Sequence, residues 1–180
     1  MGKWVSMFAA LILAACSAAD GSSANAQVTR AEDKSAGQAA IVTTERAVPT
    51  EHPESGLQLI TVTVHTGDEQ IGFLTELADT NEAQARGLMF RTELDDFAAM
   101  LFPSYTPQVR SFWMKNTPLP LDIIFIGPDN RIANIAKGVP YSTDSVASDG
   151  LAIAVFEIRG GRSEELGIKP GDLVEFTLPQ

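Results

Sequence analysis

Between Ser111 and Ile126 the chain reads SFWMKNTPLPLDIIFI. Lys115, Asn116 and Asp122 stand there among aromatic and aliphatic residues. A tryptophan face with a single N–H donor, set beside an ammonium and an amide, is the chemistry of a pocket that orients a small polar ligand. The same groups also suit a purely structural role. Lys115 would then pair with Asp122 across a stiff corner, and Asn116 would bond the loop backbone. Upstream, Arg86 and Arg91 flank Met89. Arginine near a helix end satisfies the last carbonyls and the dipole; otherwise it donates to an anion or to sugar hydroxyls. The candidate ligand-binding residues are therefore Arg86, Met89, Arg91, Trp113, Lys115, Asn116 and Asp122.

Other chemistries find weaker support. Asp122 and Glu157 both lie in apolar runs, where a carboxylate needs a partner or a raised pKa. As a pair they would suit carboxylate-based hydrolysis, and ion pairing with Lys115 or Arg86 is the simpler expectation. His65 has neither a second histidine nor a cysteine near it in sequence, so a zinc site is not expected. No GxSxG turn presents a serine nucleophile. Gly160-Gly161 lacks the Lys-Ser/Thr of a phosphate loop, and Asp144, Ser148 and Asp149 do not have calcium-loop spacing. No catalytic residue, metal or cofactor is assigned.

Lys and Arg number 13 against 23 Asp and Glu, a net charge of −10. With no basic stripe to offset it, nucleic acid is not an expected partner. The chain opens MGKWVSMFAALILAACSAADG. Lys3 gives a short positive start, and the apolar run after it is too short to span a bilayer, which takes about 20 residues. Residues 1–15 read as a signal peptide. Leu13-Ala14-Ala15-Cys16 resembles the lipobox of bacterial lipoproteins, and Cys16 is the only cysteine. That resemblance implies a lipid on Cys16 and a place in the cell envelope; Ser17 implies the outer membrane, facing the periplasm. Cleavage after Ala24-Asn25-Ala26 is the alternative. With Cys16 lipidated, no thiol remains for disulfides or redox work.

Residues 16–56 are rich in Ala, Ser, Thr and Gln, with almost no large apolar side chain. Such a segment cannot offset its chain entropy by burial, and it reads as a tether that includes His52. From residue 57 to 180 the pattern changes. LQLITVTV and IGFLTELA alternate and flank a Gly67-Asp68 turn. Asp79, with Glu82 three residues on, marks the start of a helix over NEAQAR that ends at Gly87. AAMLF, VRSFWMK, LDIIFI, RIANIAK, LAIAVFEI and LVEFTL read as further strands, SYTPQ as a loop, and RSEELGI as one helical turn. Hairpin-length links predict a largely antiparallel sheet. The fold class is mainly β: one barrel- or sandwich-like domain with one or two short helices. Period two places Phe112 and Met114 on one face and Trp113 and Lys115 on the other.

Ala85-Arg86-Gly87-Leu88-Met89-Phe90-Arg91, Met100-Leu101-Phe102, Phe112-Trp113-Met114-Lys115-Asn116-Thr117 and Pro120-Leu121-Asp122-Ile123 together resemble the family called domain of unknown function 192. The resemblance runs on through Pro140-Tyr141-Ser142, Ser148-Asp149-Gly150, Glu157 and Gly171-Asp172, and covers about Leu57 to Gln180. One departure is Ala99, where the family carries glycine before Met-Leu-Phe. The resemblance implies a compact, mainly β domain without an established activity. The leading expectation is a lipid-anchored periplasmic module that binds a small polar molecule or an envelope glycan. A structural or interaction domain and a hydrolase are the alternatives.

Overall fold

Leu121–Ile126 is buried at every position. A strand that is apolar on both faces needs cover on both, and that requirement shapes the fold. The computed structural model describes residues 50–179. In chain order its elements are β1 (Leu59–Thr66), β2 (Glu69–Leu77), α1 (Asn81–Arg86), β3 (Ala98–Gln108), β4 (Ser111–Phe112), β5 (Leu121–Ile126), β6 (Ile132–Gly138), β7 (Val146–Ala147), β8 (Ala152–Arg159), α2 (Arg162–Glu165) and β9 (Leu173–Phe176). Seven strands form one sheet in the order β6-β5-β8-β3-β2-β1-β9, and β4 pairs with β7 outside it. The expected mainly β domain with one or two short helices is the architecture found, with two helices. Among these pairings only β2 with β3 is parallel. A parallel pair needs a crossover connection, and residues 78–97, which contain α1, provide it.

Period two divides β5 between two cores. Ile124 and Ile126 join Val62, Phe73, Leu101 and Phe156 in a core to which all seven strands contribute. Leu121, Ile123 and Phe125 face the other way, with Met100, Phe102 and Val155, beneath Leu88 and Met114. The sheet curls around the first core until its outer strands meet at one corner. There Arg131 bridges Leu173, and the N–H groups of Ile132 and Val174 donate to the carbonyls of Asp172 and Asn130. It stops short of a closed barrel.

Three local expectations are corrected. VRSFWMK pairs only at Ser111–Phe112, and with Val146–Ala147 rather than with β5. The chain leaves the strand in a turn in which Thr117 N–H donates to the Met114 carbonyl at 3.1 Å. β5 lies instead between β6 and β8. SYTPQ is carried inside β3, whose pairing slips between Pro103 and Gln108; prolines there have no N–H for the ladder. Residues before Leu57 also pair with the domain. Leu59 N–H donates to the Thr50 carbonyl, His52 N–H donates to Leu57, and Glu51 bridges Gln58. Residues 50–56 thus form a strap on β1. His52, expected in solvent, stands 3.6 Å from the buried Glu76. Residues 1–49, with Cys16 and most of the expected tether, lie outside the described residues.

Candidate functional site

The short helix α1 sets up the site. Its cap is Thr80, not Asp79: the Thr80 hydroxyl accepts from Ala83 N–H at 3.1 Å. The helix stops at Gly87, where φ is 49°, a region that costs glycine little. A Cβ there would also sit 3.4 Å from the Phe102 ring. Leu88 then plugs the second core, which leaves Arg86 and Met89 at the surface around it. Three loops are laced together next to them. Phe90 N–H donates to the Asn116 carbonyl at 2.8 Å, Tyr141 N–H to Thr117 at 3.0 Å and Met114 N–H to Ser142 at 2.9 Å. Phe90, Asn116 and Tyr141 all have positive φ, at 65°, 58° and 61°. Asparagine tolerates that region, whereas bulky aromatic residues rarely enter it.

Between α1 and the 111–117 loop lies a cavity of ≈ 330 Å³, lined by Arg86, Met89, Phe112, Trp113 and Glu157 among others. Its volume is that of a site for one small molecule. Trp113 is 51% exposed at its mouth, and the Lys115 ammonium stands 5.3 Å from the centre of its ring. Phe112 and Met114 turn inward while Trp113 and Lys115 stay outside, as the alternation predicts. The floor carries Glu157, which is buried. It lies in β8 opposite Met100 on one side and Ile123 on the other. Burial pushes its carboxyl up to about 8, so at neutral pH it is mostly the protonated acid, able to donate. Arg110 lies over the Phe112 ring at 5.4 Å and binds the side chains of Ser104 and Gln84. Its own pKa is lowered by burial.

Of the sequence candidates, Arg86, Met89 and Trp113 meet in this cavity. Lys115 braces Trp113 from outside. Asn116 reaches Met89 through its amide, 3.8 Å from the thioether sulfur. Arg91 points away and clamps both oxygens of Glu76, at 2.9 and 3.0 Å. Asp122 is not part of the site, and the expected Lys115–Asp122 pair is not formed. Asp122 projects to the opposite face of the sheet from Glu157, where it is fully buried. It accepts from Lys137 at 2.9 Å, from Gly161 N–H at 3.0 Å, from Ser163 N–H at 2.8 Å and from the Ser163 hydroxyl. Burial raises its pKa, and these four hydrogen bonds together outweigh burial and hold it below the ordinary 3.8. Asp122 therefore bolts α2 to β5. Because the two carboxylates face opposite sides, they do not form the pair that a two-carboxylate hydrolase needs.

A second cavity of ≈ 520 Å³ lies on the other side of α1 and shares Arg86, Gly87 and Met89 with the first. Phe90 and the strap, through His52 and Ser55, help to line it. Behind it the buried Glu76 accepts from Arg91 and from the Ser55 hydroxyl. The sequence reading missed this cluster, and it left Glu157 and Arg110 out of the ligand site. The signal for Glu157 was present: a carboxylate in the middle of LAIAVFEI must be partnered, protonated or in a cavity.

The family model DUF192, described as Uncharacterized ACR, matches residues 62–176. The chain belongs to this family. Among solved structures, a protein of unknown function from Novosphingobium aromaticivorans DSM 12444 is similar at 51% identity and a TM-score of 0.69, over 73% of this chain and 94% of that one. A candidate transcription regulator from Sinorhizobium meliloti 1021 is similar at 32% identity and a TM-score of 0.64, over 67% and 95%. No curated protein matches. Some of the DUF192 motifs quoted from the sequence build the cavity walls, namely Arg86 to Met89, Phe112 to Met114, and Glu157, whereas Pro140 to Ser142, Ser148 to Gly150 and Gly171-Asp172 do not line it.

Proposed function

We propose that this DUF192 protein is a ligand-binding module of the cell envelope, held to the membrane by a lipid on Cys16. It takes a small polar ligand, such as a sugar unit of an envelope glycan, in the Trp113–Glu157 cavity. One observation carries the reading: a buried carboxylic acid at the floor of an open cavity, beneath a half-exposed tryptophan. A tryptophan placed only for packing would lie in one of the cores, and a structural carboxylate would be bonded as Asp122 is. A sugar fits the two groups, its apolar face on the indole and a hydroxyl oxygen toward the Glu157 proton. The regulator name of the Sinorhizobium meliloti protein does not transfer readily, since the net charge of −10 opposes contact with phosphates.

The test is calorimetric titration of the full-length chain with N-acetylglucosamine, galactose and glucose. At least one should bind in the millimolar range or tighter. Trp113→Ala should abolish that binding while changing stability by about 1 kcal/mol or less, because a half-exposed ring gives up little core packing. A loss of about 3 to 5 kcal/mol, the cost of truncating a buried aromatic, together with no binding by the wild type, would make Trp113 a part of the fold. The anchor is checked in the same cells: Cys16→Ala should end fatty-acid labelling of the protein.

A further inference from the structure

Two cavities that share a wall raise the question of whether one ligand fills both. The wall is Arg86, Gly87 and Met89. Arg86 is exposed and, among the described residues, forms no ion pair, so its guanidinium is available where the cavities meet. The linings differ in charge. The first holds Arg86 and Arg110 with Glu157 as its only carboxyl group, and Glu157 is mostly protonated at neutral pH. The second holds Glu54, Glu82, Glu93 and Asp95 against Arg86 and Arg91, and Arg91 is occupied by Glu76. An anion is therefore favoured in the first cavity and repelled from the second, while the carboxylates of the second can accept from hydroxyl or amide N–H groups. Phe90 lines the second cavity and is 68% exposed at a φ of 65°. An exposed aromatic held in a costly backbone conformation is the kind of strain that persists where a side chain must be presented.

We propose that the two cavities are adjoining subsites of one cleft for an acidic oligosaccharide. The acid-bearing ring sits on Trp113 with its carboxylate toward Arg86, and a neutral neighbouring ring lies in the Phe90 cavity. The proposal rests on the ligand-binding reading above and goes further in fixing charge and length.

Three probes separate the possibilities: N-acetylglucosamine, the neutral disaccharide diacetylchitobiose, and the disaccharide of N-acetylglucosamine with N-acetylmuramic acid, which adds one lactyl carboxylate. With the full-length chain, both disaccharides should bind more tightly than the monosaccharide. The acidic one should exceed the neutral one by about tenfold, the usual worth of a charge-assisted hydrogen bond. Arg86→Gln should erase that preference, so that within the variant the acidic disaccharide binds no better than chitobiose. Phe90→Gly should weaken both disaccharides several-fold, spare the monosaccharide, and leave the melting temperature equal or higher, because glycine relieves the strained φ. If the disaccharides bind no better than the monosaccharide, or if Arg86→Gln keeps the preference, the extended acidic cleft is wrong and the single-sugar site stands. If none of the three binds, the acidic cleft is wrong, and the single-sugar site falls with it when galactose and glucose also fail to bind.

Discussion

Glu157 and Asp122 lie one register step apart on paired strands, since Ile123 is opposite Glu157 and Asp122 opposite Ile158. Their chemistry differs because their faces differ. Asp122 has four donors and stays ionised, so its contribution to stability is present above the ordinary 3.8 and is lost as pH falls below it. Glu157 has burial alone acting on it, which raises its folded value from 4.5 to about 8. Between those values the folded chain holds a proton that the unfolded chain has released. Stability contributed by the protonated acid is full below 4.5 and is lost as pH rises through about 8, with a limiting slope of about 1.4 kcal/mol per pH unit. Glu157→Gln mimics the protonated acid and removes this dependence. The variant should melt well above the wild type at pH 8 and close to it at pH 5. Parallel melting curves for the two proteins across that range would mean that the carboxyl is solvated as an ion and not held in a dry floor.

At the level of elements, α1 matters because its end places Arg86 and Met89. Asp79 and Thr80 are adjacent, and both are capping residue types. Spacing to Glu82 favoured Asp79, but a pattern cannot resolve a helix start to one residue. The hydroxyl of Thr80 is the group that accepts from Ala83. Thr80→Ala should therefore lower stability by about 1 kcal/mol, and Asp79→Ala should leave the urea midpoint nearly unchanged. An equal or larger loss in Asp79→Ala would return the cap to Asp79. The strands were legible for a related reason: alternation in ITVTV and the unbroken LDIIFI state which faces are buried. VRSFWMK shows the limit. Its alternation gave the correct faces for Phe112 to Lys115, yet its partner is β7, taken from a loop whose composition carries no strand signal. Pairing is a long-range property, and a local pattern is silent on it. For the same reason the Lys115–Asp122 pair, which required the two strands to be neighbours across a stiff corner, does not form. That corner instead packs on Gly160, whose N–H donates to the Pro120 carbonyl at 2.8 Å. A Cβ on Gly160 would lie 2.8 Å from the Pro120 backbone.

Across the whole molecule, the strap of residues 50–56 carries the folded structure upstream of Leu57. Its composition matches the polar segment before it, so sequence placed the boundary at Leu57. What the composition concealed is a set of specific partners: the Thr50 carbonyl for Leu59 N–H, and the Ser55 hydroxyl and His52 ring beside Glu76. Glu76 is only 2% exposed, and a buried carboxylate stripped of a donor pays a desolvation cost. Arg91 stays behind to neutralise it, so the loss is partial rather than catastrophic. Two shortened chains measure the strap directly. One beginning at Thr50 should fold and melt like the parent. One beginning at Leu57 should be less stable by about 1 to 3 kcal/mol, the range for an unsatisfied buried group. It should also lose a wall of the larger cavity, because His52 and Ser55 line it. Chitobiose affinity would then fall in the shorter chain while N-acetylglucosamine affinity holds, since the Trp113 cavity uses nothing before Gln84. Equal stability of the two chains would make the strap an ornament and return the boundary to Leu57.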